Sequence, residues 1–163
     1  LGGALEGDFN GRKVFVECYQ ESMKSTYRSS DYRNRVDSNL FTTKFKTFFE
    51  LDEGIKFSIY KAGLFSGIED KFSNEKDIII GDETFDKQFV IKGNREDRIK
   101  LALRSQEVKN AITVILNMYQ FATLDQTGLQ VQIRDYVTDP QQIKFVLDKL
   151  TGAGEKINAA FNL

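Results

Sequence analysis

Histidine and tryptophan are absent from the 163 residues, and cysteine and proline occur once each. Without His, Ser-His and Cys-His nucleophilic catalysis, the usual proton shuttle near neutral pH and the commonest metal ligand all fall away. With one Cys, a structural zinc site has no ligand set, and no internal disulfide can close, so a secreted disulfide framework is excluded. An enzyme built on this sequence would have to use carboxylates, Lys, Tyr or a bound cofactor. The single Pro leaves the connections to Gly, Asn, Asp and Ser as turn residues. No stretch approaches the about 18 consecutive apolar residues of a membrane span, and no signal peptide is present.

Charge of either sign is not in excess. Lys and Arg number 23 and Asp and Glu 24, a formal charge of −1, so the chain exerts no global pull on nucleic acid or anionic lipid. With 40% hydrophobic and 29% charged residues, the composition is that of an ordinary globular protein. The length predicts one domain over 1–163, strand-rich over 12–93, helical over 94–117, and closed by a hairpin and helix over 118–163. The 14 Phe must supply much of its core. Because the sequence opens at Leu1 rather than Met, the expectation is a cytoplasmic domain preceded by a further segment, with a membrane tether as one form of it.

Residues 2–11, "GGALEGDFNG", read as an irregular entry ending in an Asn10-Gly11 turn. "RKVFVECYQESM" then alternates, with Val14, Val16 and Cys18 on one face and Phe15, Glu17 and Tyr19 on the other, which is a strand. Cys18 reads as a buried, inert thiol. After a polar loop, "LFTTKFKTFFEL" alternates Phe41, Thr43, Phe45, Thr47 and Phe49 against Thr42, Lys44, Lys46 and Phe48, a partner strand for an antiparallel hairpin. "IKFSIYKAG" is a third strand with Ile55, Phe57 and Ile59 inward, "LFSGIEDKFSNEKD" a polar linker, "DIIIGD" a short buried run and "FDKQFVIKG" a further strand.

From Asn94 the apolar period changes from 2 to 3.6. Asn94 is the expected N-cap, followed by Glu96 and Asp97 where the helix dipole favours anions. Ile99 and Leu103 face inward, and Ser105 can cap a second segment striped by Val108, Ala111, Ile112 and Ile115, so that two short helices or one helix kinked near Ser105 are expected. "MYQFATLD" and "LQVQIRDYV" flank a "QTG" turn as a hairpin. Asp139-Pro140 is a helix start. Ile143, Leu147, Leu150, Gly154, Ile157 and Phe161 then keep one face, which favours a single long helix through Gly152 and Gly154 over termination at Gly152. Strand elements first and helices after them predict an α+β fold: an antiparallel sheet with helices on one side and a long C-terminal helix.

Three clusters carry candidate chemistry. Asp82, Glu83 and Asp86 could present oxygen ligands to Mg²⁺ or Ca²⁺, with Asp82 and Asp86 the metal candidates, but acids after Gly are also plain turn and cap chemistry. In the hairpin from 24 to 46, Lys24, Arg28, Arg33, Arg35, Lys44 and Lys46 interleave with Tyr27 and Tyr32. That combination suits phosphate contacts with base stacking, or an anionic lipid surface; a solvated basic loop without a partner is the plainer alternative. "GNREDR" at a helix start could hold an anion, but Glu96 and Asp97 would repel it, and neither a P-loop nor GxGxxG occurs, so no cofactor is expected.

Gly81, Asp82, Phe85, Asp86, Phe89, Val90, Ile91, Gly93 and Asn94 form the pattern GD-x-x-FD-x-x-FVI-x-GN. With Gly7, Gly11 and Arg12 ahead of the first alternating strand, this resembles a family of prokaryotic domains of unknown function. The resemblance implies no activity or cofactor. It implies that some similar chains carry a hydrophobic anchor before the domain.

The expectation for function is a non-enzymatic binding or scaffold domain with another protein as the open choice of partner. The alternatives are nucleic-acid or anionic-lipid binding through the 24–46 hairpin, and a carboxylate-based, metal-dependent enzyme using Asp82 and Asp86.

Overall fold

Asn10 and Gly11 both adopt left-handed backbone, φ 50° and 73°, and so turn the chain back on itself. That conformation matches the twist of a two-residue hairpin and is what Asn-Gly favours. It joins β1 (Gly3–Phe9) to β2 (Arg12–Ser22), which pair in register from Gly3↔Cys18 to Phe9↔Arg12. The irregular entry expected over 2–11 is therefore an edge strand. Its small and acidic residues hid the alternation that Phe9 and Leu5 alone could not carry. The computed structural model describes residues 3–22, 39–63 and 76–163; the basic loop over 24–38 and most of the polar linker lie outside them.

β3 (Asn39–Phe48) pairs with β2 as the alternation predicts, and β4 (Phe57–Lys61) buries Phe57 and Ile59, with Ile55 buried just before it. The strand expected over 85–93 is two elements. Glu83–Gln88 is a short helix, α1, and only Phe89–Gly93 is a strand, β5. Phe85 and Phe89 lie four residues apart, a helical spacing, and their rings meet at 4.7 Å. Asp82 caps α1 by accepting the Phe85 N–H, and this cap decides against the strand pattern. Ile78 is buried and donates its N–H to Ile91 of β5, but Ile79 beside it is exposed, so the apolar run is only partly inward.

α2 (Glu96–Ala102) and α3 (Gln106–Met118) are separate helices broken at Ser105, whose hydroxyl accepts the Val108 N–H. Asn94 is not the cap of α2. Arg95 occupies that position with no side-chain cap bond, while the Asn94 amide reaches across to the chain before β4. There it accepts the Lys56 N–H at 2.9 Å and donates to the Gly54 carbonyl at 2.9 Å. β6 (Phe121–Asp125) and β7 (Gly128–Ile133) form the expected hairpin, with β7 ending before Arg134. α4 (Pro140–Phe161) is one helix of 22 residues, capped by Asp139 with Pro140 at its start, and it runs through both glycines.

The fold is α+β. Among the described residues, seven strands lie in the order β1-β2-β3-β7-β6-β4-β5, each antiparallel to its neighbours. One row of partnered positions crosses the whole sheet: Gly7, Val14, Thr47, Leu129, Leu124, Ile59 and Ile91. On this face, α4 packs over β2, β3 and β7, and α3 over β4 and β6. Phe161 of α4 stacks on Phe57 with ring centres 4.3 Å apart. Phe45, Leu124, Leu129 and Val131 are fully buried there, and each such side chain contributes about 1.5–3 kcal/mol of transfer free energy. Cys18 lies on the same face towards the edge and is half-buried rather than enclosed.

Among the described residues, no helix is long and apolar enough to cross a membrane.

Candidate functional site

The acids at 82–86 are all engaged by the chain itself. Asp82 accepts the Phe85 N–H and forms an ion pair with Lys109 of α3, tying α1 to that helix. The Lys109 ammonium, followed by the Phe85 amide, holds the Asp82 carboxyl below its ordinary value of 3.8. Asp86 turns back on the bend before the helix: one oxygen accepts the Ile80 N–H and the other the Gly81 N–H, each at 3.0 Å. Gly81 has φ 86°, so this bend needs the glycine. Glu83 pairs with Lys87 one turn on. Asp82 and Asp86 therefore point to different donors. Among the described residues, no group of three or more Cys, Asp or Glu gathers at metal-binding distance.

Of the eight residues in the basic hairpin, Lys24, Tyr27, Arg28, Tyr32, Arg33 and Arg35 lie outside the described residues. Lys44 and Lys46 lie on β3, on the sheet face turned away from α2, α3 and α4. Alternation puts them there: Phe45 and Thr47 are on the buried face, so Lys44 and Lys46 cannot be. Register then decides their neighbours. One outward row runs Ala4, Glu17, Lys44, Gln132 and Phe121, and the next runs Glu6, Phe15, Lys46, Gln130 and Thr123.

Three cations on this face lie over three aromatic rings. The Lys44 ammonium is 5.4 Å from the Tyr19 ring centre, the Lys46 ammonium 5.0 Å from that of Phe48, and the Arg134 guanidinium 4.2 Å from that of Phe121. Each such contact at a partly exposed site is worth about 0.5–1 kcal/mol. Lys44 also meets Glu17 at 3.4 Å, and Lys46 donates to the Thr127 hydroxyl at 2.7 Å. The result is a strip of rings and cations, with the amides of Gln130 and Gln132 between them. The outward places of Lys44, Lys46 and Phe48 follow from alternation alone. Phe121 and Arg134 do not, because it takes the pairing of β3 with β7 and of β7 with β6 to bring their strands onto the Lys44 row.

A second feature sits where the sheet ends. The β1–β2 turn, the end of β3 and α4 enclose a cleft of about 410 Å³ lined by Glu6, Arg12, Lys13, Phe49, Glu50 and Asn158 among others. Arg12 donates from Nη2 to the Phe48 carbonyl at 2.8 Å and lies over the Phe49 ring, while its Nε is buried without a hydrogen bond.

Compared with known proteins, the chain matches no family model, no curated protein and no solved structure.

Proposed function

We propose that the chain is a non-enzymatic binding module whose ligand lies across the sheet face turned away from α2, α3 and α4, and that this ligand is single-stranded nucleic acid. The observation that carries the reading is the set of three cation–ring pairs, Lys44 on Tyr19, Lys46 on Phe48 and Arg134 on Phe121. Bases stack on exposed rings whatever their identity, phosphates are met by Lys and Arg, and amides such as Gln130 and Gln132 read base edges. A row of side chains running across several strands suits an extended polymer better than a compact ligand. In the sequence, Lys44 and Lys46 follow the Tyr- and Arg-rich stretch 24–35, and the two together supply the residue types that such a ligand needs.

Fluorescence anisotropy with a labelled poly-U strand and a labelled oligo-dT strand tests this, with vesicles of anionic phospholipid as a parallel probe. Binding is expected to weaken linearly on a log–log plot against salt, with a slope reduced by about 0.7 for each phosphate contact removed. Combining Lys44→Ala, Lys46→Ala and Arg134→Ala should flatten that slope, and Phe121→Ala should weaken binding by about 1–3 kcal/mol without changing it. Binding indifferent to salt and to these variants, or retention on vesicles without retention of either strand, would overturn the assignment.

A further inference from the structure

The cleft at the end of the sheet has chemistry unlike that of the open face. Two cations, Arg12 and Lys13, and two carboxylates, Glu6 and Glu50, line one hollow, and among the described residues none of the four forms an ion pair. Lys13 leaves β2 on the outward face while Arg12 turns under the end of β3, and Glu50 lies beyond that end.

The walls are fixed by the chain. Asn10 of the β1–β2 turn donates to Asp148 and Thr151 of α4 at 3.0 and 3.3 Å. On the other side, the Glu50 N–H donates to Asn158 at 2.9 Å, and the Glu50 carbonyl accepts from Asn162 at 2.8 Å. Phe49 is held by its N–H to the Thr127 carbonyl. A ligand entering the cleft would therefore not have to order its walls, which is the condition for tight binding of something small. The guanidinium of Arg12 is also held in place, by the Phe48 carbonyl and the Phe49 ring, and among the described residues no carboxylate pairs with it. The Asn158 amide spends its oxygen on Glu50 and keeps its NH₂ group for another acceptor.

A volume of about 410 Å³ lies within the range of small-molecule sites, which run from about 300 to 1,000 Å³. A simple anion would be repelled by Glu6 and Glu50, and a simple cation by Arg12 and Lys13. A molecule carrying both charges satisfies both pairs. From this we infer that the cleft is a binding site for a small zwitterion of the free α-amino acid class. Arg12 and the Asn158 amide receive the carboxylate, and Glu50 with Glu6 the ammonium. The inference goes beyond nucleic-acid binding at the open face and does not depend on it.

Isothermal calorimetry of the whole chain with each of the common free L-amino acids at millimolar concentration tests it. The N-acetyl and the carboxamide derivatives of any that binds serve as single-charge controls. At least one free amino acid should give a saturable heat, and both derivatives should bind at least about tenfold more weakly, the loss expected when one charged hydrogen-bonded partner is removed. Arg12→Lys and Glu50→Gln should each weaken binding to a similar degree. Glu50→Gln is at an exposed position outside the core, so its effect is readable even where Arg12→Lys perturbs folding. No saturable heat from any amino acid, equal binding by the single-charge derivatives, or binding unchanged in Glu50→Gln would overturn the inference.

Discussion

Gly154 of α4 lies directly against Thr47 of β3: a Cβ at Gly154 would come within 2.8 Å of the Thr47 methyl group, and within 3.4 Å of Arg12 Nε. Thr47 is fully buried and β-branched, so its methyl has little room to turn away. The contact lets the long helix cross the sheet at close range, and it sets two glycines two residues apart in opposite situations. At Gly152 a Cβ would meet nothing within 4 Å. Ala is the better helix former by about 1 kcal/mol, and at Gly152 nothing opposes that gain. Gly152→Ala should therefore raise stability by up to about 1 kcal/mol, whereas Gly154→Ala should lower it by about 1–3 kcal/mol through overpacking. Urea midpoints at constant m-value would show the two shifts, and a shift of the same sign in both would contradict the close packing of α4 on β3.

The Asp82–Lys109 pair fastens α1 to α3 and gives the fold an acid-sensitive point. Hydrogen bonding to Lys109 first, and to the Phe85 N–H second, depresses the Asp82 carboxyl below 3.8. A group whose folded value is depressed contributes stability that is fully present above its unfolded value and is lost as pH falls through the folded one. Asp82→Asn retains a side chain able to cap the helix and removes only the charge. Its stability deficit against the parent chain should thus be present at neutral pH and close as the pH falls below 3.8. Chemical denaturation across that range measures this. A deficit independent of pH would mean that the cap, not the ion pair, is what the substitution disturbs.

Much of this architecture can be read along the chain, and the parts that cannot have definite physical reasons. The α+β class, the β2–β3 and β6–β7 hairpins, the break at Ser105 and the unbroken α4 all follow from period, capping and spacing in local sequence. β1 does not, because Gly3, Gly7 and Asp8 disfavour strands, and only its partner across the Asn10-Gly11 turn fixes it. In "FDKQ", the spacing of Phe85 and Phe89 satisfies either period, and the Asp82 cap decides between them. Asn94 was eligible to cap α2, but the chain before β4, some forty positions earlier, takes its amide instead. The sheet face was half legible: alternation puts Lys44 and Lys46 outward, while Arg134 and Phe121 join them only through the β3–β7 and β6–β7 registers. The Arg12 cleft had no signal at all, since residues 6, 12, 50 and 158 are brought together solely by the fold.

Asn94 closes the end of the β4–β5 pair by bonding both Lys56 and Gly54, and the Asn94 N–H itself donates to the Lys56 carbonyl at 3.0 Å. Asn94→Ala removes the two side-chain bonds and leaves the backbone bond. With each net hydrogen bond worth about 0.5–1.5 kcal/mol, the loss should come to about 1–3 kcal/mol. Asn94→Asp keeps the acceptor for Lys56 but not the donor to Gly54, and should fall between Ala and the parent chain. Hydrogen exchange at the Lys56 amide locates the effect: it should quicken in Asn94→Ala and stay slow in Asn94→Asp. Unaltered Lys56 exchange in the alanine variant would show that the clamp does not hold this edge.

The turn at Asn10-Gly11 combines two separable contributions, backbone conformation and attachment to α4. Asn10 has φ 50°, a left-handed conformation that costs most L-residues about 1–2 kcal/mol and that Asn tolerates. Its amide donates to Asp148 and Thr151, and this bond, after that from Lys144, helps hold the Asp148 carboxyl below its ordinary value. Asn10→Gly keeps the conformation available and deletes the attachment. Asn10→Ala deletes the attachment and adds the strain. The difference in stability between these two variants should therefore be about 1 kcal/mol or more in favour of Gly, less the small entropic advantage of Ala in the unfolded chain. The difference between Asn10→Gly and the parent chain measures the attachment itself. It should carry a second signature, a rise in the Asp148 carboxyl value followed by NMR titration, because one of the hydrogen bonds stabilising its charged form is gone. A stability loss in Asn10→Gly with the Asp148 titration unmoved would separate the turn from α4 and place its whole contribution in the hairpin.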